Sequence, residues 1–404
     1  MPIQALEYTP ALDLLDAERY AKLLARVFCW PEPWSHRWVQ AQGQENIRVV
    51  RRNGVVAGGL MLMPMREYFG GRPVSLTGIS TVIVAPEQRG GGVGTTLMRE
   101  AVLEMHRSGA AISGLYPATI PVYRGCGYEF SGVRCEVKIN LKLAKVTDAP
   151  GDAKDLTVEP YAHADEPAVR ALYNSVAPSI DGHLDRAESI WTLKVYAHRG
   201  EPTSGFVVRR GQTIIGYVFL LQQRVGLNPF DIVITDLVAP DPAAAWRLMA
   251  FLGDHWSIAG EARWMTSPHH PALLHFRDRC CTTTIADHWM LRVLNVAKAF
   301  ESRGYAPELS GQASFVVRDP LIAENSGRYT LRVQEGRGSI EIDRSESAAA
   351  SPSALDIRAL APILSGHATA PWLQSSGLAP TLSDDIHRLT RLCALPTPWM
   401  SEIY

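Results

Sequence analysis

Short apolar runs separated by turn residues fill the first two thirds of the chain. Residues 49–62 read VVRRNGVVAGGLML and residues 207–220 read VVRRGQTIIGYVFL. Each is an apolar run, a turn (Asn53-Gly54; Gly211-Gln212) and a second apolar run. Asn-Gly between apolar runs is a strong hairpin signal. Downstream, each half has a strand ending in the same three residues, Val84-Ala85-Pro86 and Val238-Ala239-Pro240, followed by a helix-like stretch. Hairpin, strand and helix recur in the same order, which predicts two copies of one α/β unit. Residues 147–152, TDAPGD, suit a linker between the copies. After about residue 290 the pattern changes to alternating strands over 313–317, 329–333 and 339–342, a loop of small residues over 345–353, and helices around 354–364 and 384–392. That is a third unit of α+β type. The expected domains are 1–147, 148–286 and 287–404.

Composition narrows the classes. A chain of 404 residues exceeds what one core supports, in keeping with several domains. A net charge of -1 with no basic stripe gives no reason to expect a nucleic-acid partner. The first residues lack a basic segment followed by an apolar stretch, so no signal peptide is expected. No apolar run reaches the roughly 18 residues of a membrane span. The six cysteines show no paired spacing for zinc or a disulfide framework. They read as free thiols of a cytoplasmic protein, and no metal is expected.

The two copies differ after the shared Pro. Glu87-Gln88-Arg89-Gly90-Gly91-Gly92-Val93-Gly94 follows in the first, and Asp241-Pro242-Ala243-Ala244-Ala245-Trp246 in the second. A P-loop needs a Lys after its last Gly, and none occurs between Gly90 and Glu100. A dinucleotide fingerprint needs a third Gly where Thr95 stands. Arg/Gln-x-x-Gly-x-Gly/Ala between a strand and a helix is matched in full by residues 89–94. Glycine turns let successive backbone N–H groups point one way and join the free donors of a helix N-terminus. A pyrophosphate would sit there, with Arg89 adding charge. The bland reading is a strand-to-helix turn that binds nothing; Ala in the second copy argues that the glycines serve a ligand. This loop resembles the acetyl-CoA loop of the GNAT acetyltransferases.

Further on, SGLYPATIPVYRGCGYEF contains Tyr123-Arg124-Gly125-Cys126-Gly127-Tyr128. It matches the Tyr-x-x-x-Gly-Phe/Tyr stretch of many GNAT proteins, in which that Tyr lies near the CoA sulfur. Tyr116 and Tyr128 read as packing residues. The chain ends PTPWMSEIY. Those residues are unusually apolar for a terminus, with Pro396 and Pro398 limiting fraying and Trp399, Met400 and Ile403 as anchors.

A catalytic GNAT domain, a degenerate GNAT-like domain and a C-terminal domain like a sterol carrier protein together resemble the "enhanced intracellular survival" (Eis) acetyltransferases. The resemblance implies acetyl-CoA as co-substrate and small-molecule amines as acceptors, aminoglycosides and polyamine-like molecules among them, and a homohexamer. It implies that Val82 and Val84 hold pantetheine and the thioester carbonyl through backbone groups. Arg89, Gly90, Gly92 and Gly94 would hold the pyrophosphate. Tyr123 would be the general acid and the carboxylate of Tyr404 the base. Trp30, Trp34 and Trp38 are candidates for the acceptor pocket, where Glu32 is the only nearby acid in sequence, a departure from relatives that act on aminoglycosides. Two other readings stand beside this one: a protein lysine acetyltransferase, and a carrier that binds acyl-CoA or lipid without catalysis.

Overall fold

The computed structural model describes residues 6–10, 14–225, 230–344, 353–379 and 381–404. Most of the expected 345–353 loop lies outside them. The first half supplies β1 (Leu6–Pro10), β2 (Ile47–Arg52), β3 (Val55–Phe69), β4 (Arg72–Val84), β5 (Ile112–Leu115) and β6 (Glu129–Asn140). Its helices are α1 (Leu14–Phe28), α2 (Glu32–Gln42), α3 (Val93–Arg107) and α4 (Ile120–Arg124). The second half runs β7 (Thr157–Pro160), α5 (Glu166–Val176), β8 (Leu184–Asp185) and α6 (Glu188–Ile190), then a small ribbon of β9 (Ala197–His198) and β10 (Glu201–Pro202). It continues through β11 (Ser204–Arg210), β12 (Thr213–Arg224), β13 (Phe230–Val238), α7 (Pro242–Gly253), β14 (Ala259–Thr266) and β15 (Cys281–Val293).

The repeat is visible in the register. Both predicted hairpins form, β2–β3 around Asn53-Gly54 and β11–β12 around Gly211. Asn53, Gly54 and Gly211 have φ of 53°, 77° and 62°, the left-handed region that Asn and Gly adopt most readily. Each hairpin also carries a register shift at a matching place, between Val50 and Arg51 and between Val208 and Arg209.

The halves share one 13-stranded sheet in the order β1-β2-β3-β4-β5-β15-β6-β14-β13-β12-β11-β7, with β8 on β3. They exchange strands. β15 enters between β5 and β6, and β6 pairs with β14 of the second half. β15 runs unbroken from 281 to 293, so the chain leaves the sheet after Val293 and not at the expected 286/287 boundary. An apolar alternation shows that a segment is a strand but not which neighbour it pairs with.

The third unit has a 4-stranded sheet ordered β18-β17-β16-β19, from β16 (Gly311–Arg318), β17 (Gly327–Gln334), β18 (Arg337–Asp343) and β19 (Leu355–Asp356). Around it lie α8 (Val296–Ser302) and helices Ile357–Leu364, Ala370–Ser375 and Asp384–Leu392. The last is capped by Ser383, whose hydroxyl accepts from the Ile386 N–H, and has Asp384 and Asp385 in its first turn. One core runs without a break from Tyr20 and Phe69 of the first half to Phe315 and Leu360 of the third unit. A fully buried ion pair, Arg292–Asp319 at 2.6 Å, joins β15 to the third unit. Arg292 Nε also donates to the Cys126 carbonyl at 2.9 Å, which fixes the loop just after Tyr123.

Candidate active site

The site begins where two parallel strands part. β4 and β5 pair from Leu76↔Ile112 to Gly78↔Gly114, and their pairing ends there. On its other side β4 is bulged: Gly59 pairs with Ile83 and Met61 with Ser80, so Thr81 and Val82 together face Leu60. A bulge takes backbone groups out of the ladder and re-aims them. Thr81 has φ 51°, unusual for a β-branched residue. It is held by buried Tyr20, whose hydroxyl donates to the Thr81 carbonyl at 2.9 Å and lies 2.7 Å from its Oγ1. The second half bends at the equivalent residue, Thr235, with the register shift in β12–β13.

At the end of β4 the chain enters the glycine loop. Gly90 and Gly92 have φ of 74° and 81°, and a Cβ at either would meet open space. Glycine is thus required there by backbone conformation and not by crowding from the fold. Gly92 leads into α3, whose N-terminus carries no side-chain cap. Arg89 is exposed. Arg52 of β2 reaches over the loop, donating to Gln88 Oε1 at 2.8 Å and to the Gly91 carbonyl at 2.7 Å. Gly94 lies in the first turn of α3 against Val84, where a Cβ would stand 3.6 Å from Val84 Cγ2. In the second half the same place is filled: the Asp241 carboxylate accepts from the N–H groups of Ala243 and Ala244 and pairs with Arg210 at 2.9 Å.

Val82, Tyr123, Tyr404, Trp30 and Trp38 line one cavity of about 250 Å³. Val84 stands outside that wall, beside the glycine loop. Tyr123 is 4% exposed. Burial pushes its hydroxyl up to about 12, with the Ala118 backbone drawing it partly back.

The terminal segment reaches this cavity by threading between the halves. Val133 and Trp399 form a parallel bridge, with Val133 N–H to the Pro398 carbonyl at 3.1 Å and Met400 N–H to the Val133 carbonyl at 3.3 Å. Arg134 Nε donates to the Ser401 carbonyl at 3.0 Å, and Tyr116 donates to the Glu402 carbonyl at 2.7 Å. Arg186 Nε meets Glu402 at 2.6 Å while its other nitrogens clasp Asp236. Burial pushes the Glu402 carboxyl up, but Arg186 and His183 together bring the net direction down. The Tyr404 ring packs edge-on to Tyr116 at 5.9 Å and lies so close to Gly78 and Gly114 that neither could carry a Cβ without displacing it. Ile403, expected as an anchor, is 37% exposed. The extended tail alternates, so Glu402 and Tyr404 are buried while Ile403 stays exposed and lines both cavities.

Trp30, Trp38, Lys194 and Ile403 also line an adjoining cavity of about 550 Å³, shared with Trp34 and with Arg134, Arg186 and Arg199. Trp30 and Trp38 meet edge to face at 5.9 Å, and Lys194 Nζ sits 4.6 Å from the Trp38 ring centre. Glu32 is exposed on the first turn of α2 and lines neither cavity. Arg52, Arg134, Arg186 and Lys194 were not singled out from sequence, and Tyr116, read there as a packing residue, holds the tail through its hydroxyl. Lone Arg and Lys residues carry no motif, and nothing in the sequence near Tyr116 points to a partner 286 residues away.

Comparison with known proteins finds three domains in the chain. Residues 11–131 and 182–293 each match an acetyltransferase (GNAT) domain, and residues 296–401 match a sterol carrier protein domain. The chain is 28% identical over 310 residues to the N-acetyltransferase Eis of Mycobacterium tuberculosis, covering 72% of this chain and 73% of that protein. A GCN5-related N-acetyltransferase from Anabaena variabilis superposes with TM-score 0.90 at 29% identity, covering 99% of this chain and 100% of that one. Eis1 from Mycobacterium abscessus shares the fold, with TM-score 0.79 at 19% identity over 99% and 100% of the two chains.

Proposed function

We propose, from its two GNAT domains and its 28% identity to an Eis N-acetyltransferase, that the chain moves an acetyl group from acetyl-CoA to a small-molecule amine by direct attack in a ternary complex. One observation carries the reading. The β4 bulge, Tyr123 and the terminal Tyr404 come from three distant parts of the chain and line one cavity.

The glycine loop suits a pyrophosphate: uncapped α3 donors, two glycines in the left-handed region with open space above them, and Arg89 and Arg52 for charge. Acetyl-CoA would supply the activated acyl group. The backbone N–H groups freed at Thr81 and Val82 would stabilise negative charge on the thioester oxygen. Tyr123, at about 12, stays protonated across the physiological range. A thiolate of ordinary basicity, near ~8.5, is too weak a base to take that proton outright. Tyr123 would therefore act as a hydrogen-bond donor to the leaving sulfur, which takes its proton from water as it departs.

The acceptor amine, near ~10 when free, arrives as an ammonium and must lose a proton to attack. The α-carboxylate of Tyr404 would orient it and pass the proton to water. Aminoglycosides, acceptors implied by the resemblance, would bring several ammonium groups past Lys194 and Arg199. They belong in the acceptor panel beside simple amines and lysine peptides.

Thiol release from acetyl-CoA, dependent on added amine, tests the reading. Extending the chain by a few residues beyond Tyr404 is expected to abolish transfer while CoA binding persists by calorimetry. Full activity in the extended protein would remove the carboxylate from the mechanism. Transfer to lysine peptides alone would favour the protein-acetyltransferase reading.

A further inference from the structure

The charges around the acceptor cavity do not balance. Three of its arginines are already committed. Arg186 is held by Asp236 and Glu402, Arg134 by Asp287 at 2.9 Å, and Arg263 by Asp231 at 2.8 Å. Of its two acids, Glu402 is spent on Arg186, and Glu136 lies 3.5 Å from Lys138. Lys194 and Arg199 remain, and among the described residues neither has a carboxylate within ion-pair distance. Lys194 is turned over the Trp38 ring at the junction of the two cavities, while Arg199 lines the outer one. Lys194 is half-buried and Arg199 exposed at the mouth; a partly desolvated ammonium without a counter-ion is stabilised when something anionic comes to it.

The field agrees with that census. Burial first, then Arg134 and Arg199, bring Lys194 down to about 8, with Glu402 opposing. Burial and the same neighbouring cations also lower His198. Tyr404, whose carboxylate would meet an ammonium, lines the inner cavity and not the outer one where Arg199 stands. Trp30 and Trp38 line both cavities, and Trp34 lines the outer one.

Resting on the acetyl-transfer reading, the geometry points to an acceptor whose amine is joined, across a flat apolar body, to an anionic group such as a carboxylate. The amine faces Tyr404, the body lies along the tryptophans, and the anion meets Lys194 and Arg199. A polycation would place like charge against both.

Three probes of one shape and one amine isolate the effect: para-aminomethylbenzoate, para-aminomethylbenzamide and para-xylylenediamine, whose far ends are anionic, neutral and cationic. With the full chain and acetyl-CoA, kcat/KM is expected to fall in that order, the benzoate exceeding the diamine by about tenfold or more. The ratio should shrink as salt is added. It should also drop several-fold in Lys194→Gln and in Arg199→Gln, tested singly so that loss of fold in one leaves the other. A diamine equal to or better than the benzoate, or a ratio unmoved by salt and by both substitutions, overturns the assignment. Calorimetric binding of the same probes to the CoA-loaded protein ranks them without chemistry. The expected ranking with no acetyl transfer to any probe would overturn the acetyl-transfer reading and leave the charge assignment standing.

Discussion

Tyr123 is the residue whose place in the sequence said most about its chemistry. Its motif position predicted a proton donor, and the structure puts it in the cavity with Tyr404. Tyr123→Phe keeps the ring in its 4% exposed setting and removes only the hydroxyl. Turnover is expected to fall by about 10²-fold or more, while acetyl-CoA affinity changes little. Single-turnover rates beside calorimetry check this, and an unchanged rate would exclude the hydroxyl. Glu67 carried no signal in sequence, because an acid within a strand reads as solvent-facing. In the structure it is 0% exposed, and neither carboxylate oxygen has a hydrogen-bond partner among the described residues. Burial raises its carboxyl well above the usual range. The sign follows: the folded protein holds this proton more tightly than the unfolded chain, so stability is full below the ordinary carboxylate value and declines as pH rises toward the raised one. Glu67→Gln removes that dependence. It should raise Tm at neutral and alkaline pH and make little difference in acid; an equal shift at both would show that titration of Glu67 is not the cause.

At the scale of elements, the comparison of α3 with α7 is the most informative. Both follow a strand ending in Val-Ala-Pro. The first has glycines in the left-handed region and bare N-terminal donors; the second has Asp241 capping those donors and paired to Arg210. A phosphate cannot share donors already given to a carboxylate that is itself fixed by an arginine. Calorimetry should therefore find one CoA per chain despite two GNAT domains. Gly92→Val should weaken that site by about tenfold or more, since a β-branched residue in this region costs about 1–3 kcal/mol and tenfold is about 1.4 kcal/mol. Two sites per chain, or full affinity in the variant, would contradict this. The hairpins, β4, the loop and α3 were legible because each depends on local pattern and turn chemistry. The β4 bulge was not. Nothing in Ser80-Thr81-Val82 marks it, and Tyr20, which holds it, lies 61 residues away along the chain.

At the scale of the whole molecule, the exchange of β15 and β6 makes the two halves one sheet, and the third unit shares a core with the first half. Three units could be read from composition and pattern; how they interlock depends on contacts far apart in sequence. What that interlocking achieves is delivery of the tail. Glu402 is the test, because it ties the tail to the second half through Arg186, which Asp236 holds from its other side. Removing one member of a buried ionic cluster costs about 3–5 kcal/mol, largely through the charge left behind. In Glu402→Ala, Asp236 still neutralises much of Arg186, so the loss should fall mainly on tail docking. The bridge at Trp399 and the Tyr116 bond to the 402 carbonyl remain, but the segment from 401 to 404 loses its charged anchor. Acetyl transfer should drop by about tenfold or more with CoA affinity preserved, since the glycine loop is built from other elements. The drop should appear in kcat as well as in acceptor KM, because a displaced terminus misplaces the amine along with the pocket wall. Wild-type kcat in this variant, with the fold verified by thermal denaturation, would mean that the tail stabilises the assembly without serving the chemistry.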